Sequence, residues 1–268
     1  PLSLSASTVR PEVLRILPEA DVILAVGTEL SETDSFVERL NFKGQIIRID
    51  IDPSKINDFY PADLGIVADA QSTIQALSVE LNDFCATGVE AAKERTALIR
   101  SKIRQGLGPA EKQHAGVLDA LAAVAPTDII WSGDACQLVY TGAFTLPLRM
   151  PRKWVYPAGY CALGSALPSA IGARLARPET PVAVLVGDGG FMFTMPELLT
   201  AAELKLPIPI IIWENGGLKQ IQDDMDQRQI SRVGVEGANP DFVALARACH
   251  AHAVDVDTHE ALQGAFVE

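Results

Sequence analysis

Val182-Ala-Val-Leu-Val-Gly187-Asp188-Gly189-Gly190 decides how the chain is read. Its apolar run is too short for an amphipathic helix and has no polar alternation, so it reads as a strand buried on both faces. The run ends in glycines around one aspartate, the composition of a strand end that must turn sharply. Helical apolar spacing flanks it on both sides, in Pro168–Leu175 and Pro196–Leu204. Two similar strands follow the same rule. Asp128–Ser132 ends at Gly133-Asp134, and Ile208–Trp213 ends at Glu214-Asn215-Gly216-Gly217. Val117–Val124 and Phe242–Cys249 read as further helices, and Ala253–Val256 as a short strand. Strands alternating with helices predict an α/β fold, with parallel sheets flanked by helices.

The first part of the chain repeats this pattern. Asp21–Val26, Ile46–Ile51 and Leu64–Val67 read as strands; Ser31–Leu40 and Ser72–Phe84 carry helical signals. Ala86–Glu111 is polar and ends at Gly106-Leu107-Gly108-Pro109, the composition of a surface helix and linker. The expected organisation is a partial domain over 1–85, a linker over 86–111 and a second domain over 112–268. The first residue is Pro1 and the last helical pattern, around Leu262 and Phe266, has no stop signal, so the sequence reads as a piece of a longer protein.

Composition narrows the function. The 268 residues carry 22 Lys and Arg against 34 Asp and Glu, a formal net charge of −12. An acidic chain lacks the basic face that nucleic-acid binding needs. No apolar run approaches the ~20 residues of a membrane span. No secretory signal opens the sequence. Cys85, Cys136, Cys161 and Cys249 show no CxxC spacing, so a reduced, cytoplasmic setting is expected.

In a parallel sheet, the polar strand ends lie on one edge, where ligands of open α/β sheets bind. There Asp188 and Asn215 can converge. One carboxylate, one amide oxygen and backbone carbonyls form an oxygen-only set suited to Mg²⁺. Gly189 and Gly190 allow close approach of a phosphate. No strand end carries GxGxxG, which disfavours a nicotinamide-binding protein.

Gly187-Asp188-Gly189, then Glu197-Leu-Leu-Thr-Ala-Ala202, then Asn215-Gly-Gly217 at this spacing resemble the signature of the thiamine diphosphate-dependent 2-keto acid decarboxylase and acetolactate synthase family. The resemblance implies a middle Rossmann-like domain followed by a thiamine diphosphate-binding domain. It implies Mg²⁺ held by Asp188, Asn215 and the carbonyl of Gly217, with Glu214 standing where the family has the first of two asparagines. Pro157–Ala173 looks like the segment that holds the cofactor bent, with Leu163 as the wedge between its rings and the Cys161 carbonyl accepting from its aminopyrimidine. Gly187, Gly189, Gly190 and the loop at Gly133 and Asp134 would border the diphosphate. Ala25-Val-Gly-Thr-Glu29 and Arg48–Pro53 carry the likeness in the first domain, where some relatives bind FAD.

The activating glutamate of the family lies on an N-terminal pyrimidine-binding domain, so no catalytic residue is expected in this stretch. Partners would be that domain, a 2-keto acid substrate and further copies of the protein in a dimer or tetramer. Thr28–Asp34 and Gly133–Tyr140 look most like members assigned as 5-guanidino-2-oxopentanoate (2-ketoarginine) decarboxylases, and a carboxylate within Gln220–Arg228 could hold a guanidinium. The chemistry implied is decarboxylation of a 2-keto acid through a thiazolium enamine. The alternatives are condensation of two keto acids, as in acetolactate synthase, and a cofactor-binding module without turnover.

Overall fold

The computed structural model describes residues 2–5 and 8–268, with the side chain of Asp34 outside the description. The chain divides into two units, Pro1–Gly106 and Leu107–Glu268.

The first unit contains α1 (Pro11–Leu14), β1 (Val22–Val26), β2 (Gln45–Asp50), β3 (Leu64–Val67), α2 (Ala70–Glu80) and α3 (Val89–Gln105). Its three strands are parallel in the order β1-β2-β3, with Leu24 opposite Ile47 and Ile47 opposite Leu64. The middle strand buries Arg48, and both terminal nitrogens of its guanidinium are engaged. It donates to the carbonyls of Thr28 at 2.9 Å and Tyr60 at 3.1 Å and pairs with Asp58. A buried cation needs this kind of compensation.

Two expectations change here. Ser31–Leu40 forms only a 3₁₀ turn at Glu32–Asp34. Thr28 Oγ1 accepts from the Leu30 N–H, and the hydroxyls of Ser31 and Thr33 lie 2.8 Å apart, so local side-chain bonds compete with the helix. Phe36 at φ +53 then stops it. The stretch 86–111 carries the expected surface helix and narrows the linker to 106–108. It is mostly α3, which buries Thr96, Ile99 and Ile103 at helical spacing and packs on α1.

The second unit runs α4 (Pro109–Val124), β4 (Ile130–Gly133), α5 (Gln137–Thr145), β5 (Trp154–Val155), α6 (Ala166–Ala176), β6 (Val182–Gly187), α7 (Asp188–Thr194), α8 (Glu197–Glu203), β7 (Ile210–Trp213), α9 (Lys219–Gln227), α10 (Phe242–Ala248) and α11 (His259–Val267). Its four parallel strands lie in the order β5-β4-β6-β7. Strand β6 is buried along its whole length. Val182, Val184 and Val186 face one layer, with Leu167 and Ile171 of α6, Phe191 of α7 and Leu198 of α8. Ala183 and Leu185 face the other, with Leu118 and Leu121 of α4, Leu138 and Val139 of α5 and Leu262 of α11. The alternation follows from the two-residue period of a strand.

The chain leaves β4 for β5 on one side and returns for β6 on the other. The order therefore reverses between β4 and β6, and the crevice at such a switch point is where open α/β sheets bind ligands. The Ala253–Val256 strand does not form, because no ladder of the sheet extends to it. Among the described residues no helix is long and apolar enough to cross a membrane.

All three tryptophans, at 131, 154 and 213, lie in the second unit, so their emission reports on it alone. Leu185→Ala is expected to cost that unit about 2–5 kcal/mol, read as a lower urea midpoint of tryptophan emission. His114 is buried, with Nδ1 3.0 Å from Thr141 Oγ1 and its ring edge-on to Trp213. Burial holds its pKa below the ordinary value, against a weaker upward pull from Glu111. The unfolded chain therefore takes up this proton first, and stability falls as pH drops below about 6.5. His114→Gln is expected to flatten that part of the stability–pH curve.

Candidate functional site

Asp188 begins α7 directly at the end of β6 and is only 1 % exposed. Its Oδ2 accepts four hydrogen bonds: from the N–H groups of Asn215 at 3.2 Å, Gly216 at 2.8 Å and Gly217 at 3.1 Å, and from Asn239 Nδ2 at 2.8 Å. Its Oδ1 accepts from the Gly189 N–H at 2.9 Å. Burial pushes its pKa up, but the Asn239 amide and the backbone N–H groups outweigh that, and the net shift is downward. Asp188 is thus a buried anion at neutral pH.

The Asn215 carboxamide meets two acceptors, Asp188 Oδ1 at 3.3 Å and the Gly217 carbonyl at 3.0 Å. With its nitrogen toward them it donates two hydrogen bonds. With its oxygen toward them, three oxygens converge with no proton between them, which a hard cation satisfies. Among the described residues no three His, Cys, Asp or Glu side chains cluster as a metal site. This set differs in having a single carboxylate, and it fits an ion that brings further oxygen ligands with it.

The loop carrying Gly217 is held from behind. Its φ of +127° suits glycine, and a β-carbon there would lie 2.6 Å from the Val235 carbonyl. That carbonyl accepts from the Leu218 N–H at 3.0 Å and from buried Gln222 Nε2 at 2.8 Å. Gly217 and Glu236 form an antiparallel bridge. Asn239 spans Asp188 and Glu214, reaching Glu214 Oε1 at 3.0 Å.

Across the crevice, Asp134 is fully buried behind Gly133, the last residue of β4. It serves the chain itself: Oδ1 accepts from the Ala135 N–H and Oδ2 from the Gly164 N–H, both at 2.8 Å. Burial raises its pKa despite these N–H groups. The Gly164 carbonyl accepts from Thr194 Oγ1 at 2.8 Å, so the turn after Leu163 is pinned on both sides. Cys161 sits nearby at φ +48, a conformation L residues rarely adopt and one that clusters at functional sites. Its sulfur lies 3.9 Å from Tyr156 Oη.

Sequence spacing brought Asp188, Asn215 and Gly217 together, and Asp134, Gly164 and Thr194 form a second constellation beside them. Gly189 and Gly190 differ from a simple phosphate cradle: the Gly189 N–H is engaged by Asp188, and Gly190 packs on Asp134. Asn239, Gln222 and Thr194 were not anticipated. Asn239 is 51 residues from Asp188, and no local pattern announces such a contact.

The acidic stretch after the Gly216-Gly217 loop holds partners of its own. Asp223 pairs with Lys219 and accepts from Gln137 Nε2 at 2.9 Å. Arg232 grips both oxygens of Asp226 and also pairs with Glu236 at 2.9 Å. Asp224 accepts from Gln220 Nε2 at 3.2 Å.

Residues 134–268 match the family described as thiamine pyrophosphate enzyme, C-terminal TPP binding domain, and residues 2–77 match the central domain of the same enzymes. The chain belongs to the thiamine pyrophosphate enzymes. It is similar to a probable 2-ketoarginine decarboxylase, AruI, of Pseudomonas aeruginosa, 45 % identical over 92 % of this chain and 44 % of that protein. It also resembles a pyruvate oxidase of Lactiplantibacillus plantarum, 29 % identical over 93 % of this chain and 42 % of the relative. The large subunit of acetolactate synthase isozyme 3 of Escherichia coli is 28 % identical over 91 % of this chain and 46 % of the subunit. The chain thus spans less than half the length of these relatives.

A β-carbon at Gly190 would lie 2.6 Å from Asp134 Oδ2. Gly190→Ala is therefore expected to displace a buried, hydrogen-bonded carboxylate and cost about 1–3 kcal/mol. A thermal melt followed by tryptophan emission checks this.

Proposed function

We propose that this chain is the cofactor-holding part of a thiamine diphosphate- and Mg²⁺-dependent enzyme that decarboxylates a 2-keto acid, with 2-ketoarginine as the favoured substrate. The convergence of Asp188 Oδ1, the Asn215 carboxamide and the Gly217 carbonyl at the switch-point edge carries the reading. Thiamine diphosphate, when bound, supplies a carbon nucleophile and a sink for the electron pair left by departing CO₂.

The chain's own residues bind and orient. Asp188, Asn215 and the Gly217 carbonyl would hold Mg²⁺, whose remaining positions suit diphosphate oxygens and water. Gly187, Gly189 and Gly190 would border the diphosphate, with Gly133 on the opposite strand. Asp134 would act through the backbone, fixing the turn that presents Leu163 as the support for a bent cofactor. The left-handed Cys161 would set its carbonyl to accept from the aminopyrimidine. These roles keep the reacting groups in register and leave proton transfer at the cofactor to the glutamate that the resemblance places on a pyrimidine-binding domain.

Tyr160 is 96 % exposed and Phe193 66 % exposed on either side of the Leu163 turn. Exposed aromatic surface beside a site supports its completion by another domain or subunit.

The 45 % identity to a probable 2-ketoarginine decarboxylase supports that substrate over pyruvate-type acids. Of the carboxylates in Gln220–Arg228, Asp223 and Asp226 already hold cations of this chain. Asp224 is therefore our choice for the substrate guanidinium. Its charge also reaches Tyr140, whose pKa burial first, and neighbouring anions second, push up to about 12. Likeness to acetolactate synthase supports a second reading, in which two keto acids condense.

Titration calorimetry of thiamine diphosphate into the chain tests the cofactor site. Binding is expected with Mg²⁺, is expected to be lost with EDTA, and is expected to fall at least tenfold in Asp188→Ala. Product analysis on the full-length enzyme separates the reactions: 2-ketoarginine should give CO₂ and 4-guanidinobutanal, whereas an acetohydroxy acid from pyruvate would favour the synthase reading.

A further inference from the structure

The geometry points to Asn239 as the positioning residue of the cation site, acting on Asp188 and Glu214 together. This rests on the reading of Asp188, Asn215 and Gly217 as cation ligands. The Asn239 amide nitrogen donates to Asp188 Oδ2 at 2.8 Å and to Glu214 Oε1 at 3.0 Å. One neutral nitrogen thereby serves two carboxylates, because a primary amide carries two protons.

Two consequences follow for Asp188. First, Oδ2 is saturated by Asn239 and the N–H groups of residues 215–217, while Oδ1 accepts one backbone hydrogen bond, from Gly189. Oδ1 keeps lone-pair capacity, and it is the oxygen that faces the Asn215 carboxamide. The pattern of donors thus selects which oxygen is offered to a cation. Second, Glu214 is kept occupied. This exposed carboxylate immediately precedes Asn215. Left unbonded it would repel Asp188 and compete for the same ion. A lysine at 239 would satisfy both anions but set a positive charge against the metal, so a neutral two-proton donor suits the place.

The segment that delivers Asn239 is anchored on both sides. Upstream, Arg232 pairs with Asp226 and Glu236, and the Val235 carbonyl is bonded to Leu218 and Gln222. Downstream, Pro240 restricts Asn239 to extended backbone, and Asp241 Oδ1 caps α10 by accepting from the Ala244 N–H at 2.8 Å. The amide therefore reaches the two carboxylates from a fixed backbone, as outer partners of metal ligands do.

Mn²⁺ titration of the chain with thiamine diphosphate, followed by electron paramagnetic resonance, tests the role. Asn239→Ala and Asn239→Ser are each expected to bind Mn²⁺ about tenfold more weakly, with an altered spectrum of the bound ion. The melting temperature without metal is expected to stay close to that of the unsubstituted chain. Glu214→Gln, which leaves the Asp188 contact in place, is expected to stay within about twofold. Unchanged Mn²⁺ affinity and spectrum in either Asn239 variant would overturn the inference. So would weakened binding that tracks an equal loss of metal-free stability. If the unsubstituted chain takes up no Mn²⁺, the ligand reading itself fails, a result distinct from a variant that behaves like its parent.

Discussion

One carboxylate ties together two strand ends that the sheet only brings side by side. Asp188 closes β6, and the loop after β7 folds around its Oδ2 through consecutive backbone N–H groups. The interaction explains why the aspartate is buried and still ionised. Its desolvation is offset by donors already fixed in the backbone and by the Asn239 amide. Much else depends on it. The loop's glycines, its bridge to Glu236 and the bonds of Gln222 all serve to keep those N–H groups aimed at one oxygen. The second buried aspartate plays the matching part across the crevice. Asp134 shapes a turn instead of a loop, and its raised pKa shows that its N–H partners do not fully repay its burial.

The sheet could be read from the sequence because its strands are apolar without interruption. Val182–Gly187 needed no more than its run of branched residues, and the register that aligns Gly133 with Leu185 follows from parallel pairing. The meeting of Asp188 with Asn215 and Gly217 was legible for the same reason, since strand ends in a parallel sheet share an edge. Ser31–Leu40 misled because helical spacing says nothing of hydroxyls that bond locally. Trp154–Val155 is a two-residue edge strand, too short to leave a period.

Asn239 escaped for a different reason. A residue whose work is to hold another side chain has no motif of its own; it is defined by a contact 51 positions away. Composition marked the domain boundary at the Gly106–Pro109 turn but hid how much of the stretch before it is packed helix. Residues 89–105 are charged on most faces, yet the spacing of Thr96, Ile99 and Ile103 gives the helix one buried stripe. A polar stretch with such a stripe belongs to a fold and does not bridge two.

Strand β6 has solvent on neither side, and its two sets of side chains enter two different cores. The helix layers are therefore not independent shells. Loosening one face shifts a backbone that the other face also grips, so the two layers should breathe together in hydrogen exchange, with the β6 amides among the last to open. Divergence along this strand is then confined to changes that conserve volume on both faces at once. Substitutions in the loops after the strands meet a looser constraint, because each perturbs one neighbour instead of two cores.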